Sequence, residues 1–123
     1  MITPILATGD PYEAKQEFLE SGWDLVFETP RDSNDNLVCI KIENAQVMLG
    51  RDTSEFIRVE AKRFRGAGVD FYIELETEGA LKNIFVNHKT ARTAIEELSR
   101  RDWGVMAFRT KICGYSFLFA SKQ

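Results

Sequence analysis

Residues 68–77 read GVDFYIELET, and apolar and polar positions alternate strictly along them. Side chains in a strand have period two, so Val69, Phe71, Ile73 and Leu75 fall on one face and Asp70, Tyr72, Glu74 and Glu76 on the other. The rest of the chain can be parsed in the same way. ITPILAT (2–8) reads as a short strand, with Pro4 tolerable at its start or at a sheet edge. GDPYEAKQEFLESGW carries the punctuation of a helix. Asp10 caps it, Pro11 suits the first helical position, Glu13 completes a capping box, and Gly22 offers the left-handed stop. Ala14 and Phe18, four apart, form its buried stripe. WDLVFET (23–29), LVCIKI (37–42) and QVMLG (46–50) then read as strands, separated by the polar PRDSNDN and the tight turn ENA.

After the strand at 69–75 the order starts again. Thr77 caps a helix with Leu81, Ile84 and Phe85 at i, i+3 and i+4, and after DWG two strands, 105–112 and 115–120, hinge on Cys113-Gly114. The intervening TARTAIEELSRR is ambiguous. Ala91, Ala94, Ile95 and Leu98 fit helical spacing, yet a second half that repeats the first needs a strand near 93–98, and the repeat is preferred. The chain is thus expected to be α+β, a single domain of two β-α-β-β-β modules, 1–50 and 68–123, joined by a charged linker at 51–67.

Composition narrows the function classes. The 123 residues, 44% hydrophobic, suffice for one proper core. Net charge is −3 and the basic residues are scattered, whereas phosphate binding needs a concentrated basic surface, so no nucleic-acid partner is expected. Lys62-Arg63-Phe64-Arg65 is the densest basic run and is taken as solvated linker. No apolar run approaches the roughly 20 residues that span a bilayer, and MITPILATGD lacks the features of a secretory leader, so a cytoplasmic protein without membrane contact is expected. Two cysteines, Cys39 and Cys113, suggest reduced thiols and not a disulfide framework. The sequence contains no Gly-x-Ser-x-Gly elbow, phosphate loop or Cys/His pairing that spacing supports, and no catalytic residue is assigned.

GDPYEAKQEFLESGW, VDFYIELETEGALKNI and RDWGVMAFRTKICGYSFLFA, in this order and spacing, resemble signatures of the vicinal oxygen chelate superfamily, which contains glyoxalases, extradiol dioxygenases and bleomycin resistance proteins. The resemblance covers nearly the whole chain. It implies the glyoxalase/bleomycin resistance fold: each module curls its sheet into a half-barrel with helices outside, the modules enclose a cavity, and chains of this size form homodimers. It also implies that Asp70 and Tyr72 face the cavity and that Phe71 and Ile73 face the helix. An ordinary strand with its polar side in water is the alternative.

Enzymes of the superfamily hold a divalent metal with His, Glu or Gln at the start of the first strand and the middle of the last strand of each module. By the resemblance those places fall on Thr3, Met48 (Leu49 if the register slips), Asp70 and Leu118. Only Asp70 is a good ligand, and a hard divalent ion needs several oxygen or nitrogen donors, so neither metal nor other cofactor is expected. The usual Asp-Pro-x-Gly turn is replaced by Lys111-Ile112-Cys113-Gly114, and the single histidine, His88, is expected at the surface near a helix C-terminus. Thr3, Met48, Asp70, Tyr72, Trp103 and Leu118 are the expected ligand-binding residues, Trp103 and Tyr72 as aromatic walls. The resulting expectation is a metal-free small-molecule-binding protein, active in drug or metabolite sequestration, with a cationic or aromatic ligand. One alternative is a metal-dependent lyase, isomerase or dioxygenase that uses Glu43 or Gln46 together with Glu74. Another is a structural or partner-binding dimer whose cavity is filled by its own side chains.

Overall fold

The computed structural model describes residues 1–52 and 64–122. The chain divides into two compact units, Met1–Leu19 with Trp23–Arg65, and Glu20–Gly22 with Gly66–Gln123. Most of the linker expected over 51–67, from 53 to 63 and with it Lys62 and Arg63, lies outside the described residues.

The first unit contains β1 (Ile5–Thr8), α1 (Pro11–Glu20), β2 (Asp24–Glu28), β3 (Leu37–Ile42) and β4 (Ala45–Arg51). α1 starts where the cap predicts, with the Asp10 carboxylate accepting from the Tyr12 N–H at 2.9 Å and the Glu13 N–H at 3.4 Å. Gly22, at φ 98°, lets the chain leave the helix in the left-handed region. The strands form one sheet in the order β1-β4-β3-β2, with β1 and β4 parallel and the other pairs antiparallel. Leu6, Val38, Ile40, Val47 and Leu49 share its buried face. Glu28, paired with Val38, points the same way and meets Lys15 of α1, so the helix lies on this side. Phe18 of α1 packs edge-on against Trp23, with ring centroids 5.1 Å apart.

The second unit repeats this order with β5 (Asp70–Leu75), α2 (Glu78–Thr90), β6 (Ser99–Arg100), β7 (Met106–Ile112) and β8 (Tyr115–Ser121). Its sheet runs β5-β8-β7-β6, with β5 and β8 parallel. The Thr77 hydroxyl caps α2 by accepting from the Ala80 N–H at 3.1 Å. Under the helix lies an aromatic layer: Phe71 stacks on Phe117 at 5.4 Å, Phe108 stacks on Phe119 at 5.4 Å, and Phe85 meets Phe108 edge-on at 5.0 Å. The helical spacing in TARTAIEELSRR forms no helix. Ala94 makes a single bridge to Thr110 and the paired strand comes later, at Ser99–Arg100. Arg92 at φ 64° breaks away from α2, and the Thr93 and Ala94 N–H groups both bond the His88 carbonyl, which closes the helix before the apolar stripe can continue it.

The placement expected for His88 is corrected. The residue is fully buried in α2, with its ring 5.2 Å from Phe119 and 5.9 Å from Phe108. Its Nδ1 lies 2.7 Å from the Ile84 carbonyl oxygen, which can only accept, so the ring proton sits on Nδ1. Leu81, Ile84 and His88 follow i, i+3, i+7 spacing, and that stripe carries the imidazole into the core.

Candidate functional site

Each sheet has one face toward its helix and a second, open face away from it that is only partly exposed, with Ala107, Ala120 and Cys39 fully buried there, and the candidate site residues sort by register. In the second unit the helix face takes Phe71, Ile73, Phe108, Phe117 and Phe119. The open face is built from three cross-strand rows. Asp70, Ser116 and Lys111 form the first, Tyr72, Leu118 and Arg109 the second, and Glu74, Ala120 and Ala107 the third. Asp70, Tyr72 and Leu118, all anticipated from the sequence, therefore share one face in adjacent rows. Tyr72 is 52% exposed and makes no side-chain hydrogen bond among the described residues. Trp103, 55% exposed, lies in the turn between β6 and β7. It precedes β7 at the Glu74 end of the sheet, whereas Asp70 is at the other end, four residues or about 13 Å of strand away.

In the first unit the open face carries Ile5 of β1, Gln46 and Met48 of β4, Leu37 and Cys39 of β3 and Phe27 of β2. Met48 lies directly beside Ile5. Thr3 precedes β1, half-buried, with its hydroxyl near the Met1 sulfur at 3.7 Å. Ile5 is 61% exposed and Phe27 41%, while Cys39 between them is fully buried, so this mainly apolar face is uncovered at its two edge strands. Of the residues in the metal-dependent alternative, Gln46 and Glu74 lie on open faces of different units, and Glu43 occupies the β3–β4 turn at φ 50°.

Arg109 decides the chemistry of the second unit's open face. It grips one oxygen of Asp70 from Nη2 at 2.7 Å and Nε at 3.2 Å, while the Ser116 hydroxyl donates to the other oxygen at 2.8 Å. Nη1 of Arg109 also lies 3.8 Å from Glu96, which in turn pairs with Arg101. The Arg109 hydrogen bond holds the Asp70 carboxyl below the usual carboxylate range; partial burial acts in the opposite sense, and Ser116 adds to the lowering. Asp70 is thus ionised, with both oxygens engaged.

The donors at the metal-ligand places of the superfamily do not fit a hard divalent ion. In the first unit they are a threonine hydroxyl outside the sheet and a thioether, and in the second an Asp70 carboxylate held by a guanidinium, beside a leucine row. No group of three or more His, Cys, Asp or Glu side chains placed to hold a metal occurs among the described residues.

Arg109 and Ser116 are functional candidates that pattern reading overlooked. A signal for them was present, because the two-residue turn Cys113-Gly114 pairs Ile112 with Tyr115. Counting outward from that pair sets Lys111 opposite Ser116 and Arg109 opposite Leu118.

No family model and no curated protein matches the sequence. Solved structures do match the fold. TioX from Micromonospora sp. ML1 superposes with a TM-score of 0.73 at 15% identity, covering 100% of this chain and 96% of that one. A glyoxalase/bleomycin resistance protein/dioxygenase from Nocardioides gives 0.69 at 15% identity over 98% and 82% of the two chains. A lactoylglutathione lyase from Agrobacterium tumefaciens gives 0.65 at 18% identity over 98% and 92%. With two four-stranded mixed sheets, each pairing its first strand in parallel with its last, the chain has the glyoxalase/bleomycin resistance fold.

Proposed function

We propose that this chain is a metal-free small-molecule-binding protein of the bleomycin resistance type, which sequesters a drug or metabolite and does not transform it. The observation that carries the reading is the state of Asp70. It is the one good ligand among the expected metal positions, and both its oxygens are committed to Arg109 and Ser116. Recruiting it to a metal would leave Arg109 with Glu96 alone. Tyr72, exposed between Asp70 and Glu74 on the open face, is a ring on which an aromatic or cationic ligand can stack, with carboxylates on either side. Exposed Ile5 and Phe27 in the first unit support a homodimer in which a second copy covers apolar surface. The protein is proposed to act in the cytoplasm, as one domain of two modules.

Metal analysis of the purified protein, followed by thermal shift with Ni²⁺, Zn²⁺, Mn²⁺ and Fe²⁺, tests this reading. No stoichiometric metal and no stabilisation are expected. Aromatic cations screened on the same sample should then yield a ligand whose affinity falls about tenfold in Tyr72→Ala. A stoichiometric metal that raises Tm, lost in Asp70→Asn, would instead support metal-dependent chemistry.

A further inference from the structure

A concavity lies on the helix side of the first unit, away from its open face. It is a groove of about 350 Å³ between α1 and the end of β2, lined by Tyr12, Lys15, Gln16, Glu28, Thr29, Pro30 and Arg31. Its backbone carbonyls and hydroxyls are occupied. The Tyr12 hydroxyl, buried, donates to the Thr29 carbonyl at 2.8 Å. The Pro30 carbonyl takes the Ser33 N–H at 3.0 Å and the Ser33 hydroxyl at 2.6 Å. The Thr29 hydroxyl donates to the Asp35 carbonyl at 2.8 Å and accepts from the Leu37 N–H at 3.0 Å. One carboxylate oxygen of Glu28 is paired with Lys15.

The donors of the groove are not matched in the same way. The Arg31 guanidinium lies over the Tyr12 ring, 4.6 Å from its centroid. Its one hydrogen bond among the described residues is a long 3.4 Å contact to Asp10, whose carboxylate already caps α1. Gln16, one turn along the helix from Tyr12, makes no side-chain hydrogen bond among the described residues. A groove lined by two cations and one carboxylate, with the Gln16 amide free and Arg31 only weakly engaged, suits a ligand that brings acceptors and one negative charge. A planar carboxylate matches the fork of a guanidinium positioned over a ring.

We infer that this groove binds the carboxylate of a small organic acid, with Arg31 as its anchor and Gln16 as a second donor. The site is separate from the open sheet faces, so it stands or falls independently of the sequestration reading.

The test is an NMR titration of the folded chain at fixed ionic strength with succinate and benzoate, and with their neutral counterparts succinamide and benzamide. Saturable shifts confined to residues 12–16 and 28–31 are expected with the acids alone, weakened about tenfold or more in Arg31→Gln and unchanged in Arg92→Gln, an exposed arginine elsewhere. Arg31 is exposed, so its replacement leaves the fold intact, which far-ultraviolet circular dichroism checks. Shifts spread over surface cations, equal responses to the amides, or unchanged affinity in Arg31→Gln would each overturn the assignment.

Discussion

Burial gives His88 a consequence that its place in the sequence does not suggest. Removal from water pushes the imidazole below its ordinary value of about 6.5, with the Ile84 carbonyl bond acting in the opposite sense. The sign follows directly. Below about pH 6.5 the unfolded chain binds a proton that the folded chain resists, so stability is whole above that pH and falls as the pH drops toward the folded pKa. Because His88 is the single histidine, chemical denaturation at pH 7.5 and pH 5.5 should show a loss at the lower pH that His88→Leu largely removes. Asp70 behaves differently. Its carboxylate favours the fold above its ordinary pKa and the benefit disappears only as pH falls through the lowered folded value, in strongly acid solution. With its side chain 41% exposed, Asp70→Ala should cost no more than about 1 kcal/mol, and the loss should shrink in high salt. The alternation in GVDFYIELET was enough to assign Asp70 and Tyr72 to one face. It could not reveal that Arg109 holds Asp70, because that contact joins residues 39 apart through β8, which lies between their strands.

At the level of elements, local chemistry was legible wherever it was self-contained. Asp10 and Thr77 cap their helices as their sequence contexts require, and the Cys113-Gly114 turn, with φ of 52° and 87°, joins β7 and β8 in the expected register. Thr77→Ala should therefore lower stability by about 1 kcal/mol in urea denaturation, with Thr77→Ser close to neutral. The stretch 91–100 was not legible, because its helical spacing competes with strand pairing to β7 and tertiary contacts settle the outcome. A loop contact of the same kind is invisible in the sequence at Gly66. It sits at φ 81°, and a Cβ there would fall 2.2 Å from the Gly114 carbonyl oxygen. Gly66→Ala meets both a left-handed backbone and a backbone clash, and should cost about 2–4 kcal/mol by thermal or chemical denaturation.

Across the whole molecule, the repeated order of elements identified the fold because each β-α-β-β-β unit has few ways to cover its apolar strands. The chemistry of the open faces could not be read from that repeat, since it depends on which side chains meet across rows. The topology also bears on how the chain is made. β8 lies inside the sheet order β5-β8-β7-β6 although it follows the other strands in sequence, and among the described residues β5 has no hydrogen-bonded neighbour except β8. During synthesis the first sheet can close as soon as Arg51 has left the ribosome, but β5 must wait unpaired while the next forty residues are added. A nascent chain arrested after Ile112 should thus carry a finished, protease-resistant first sheet and a protease-sensitive second half, and release of the final strand should convert the second half alone to resistance in a single step.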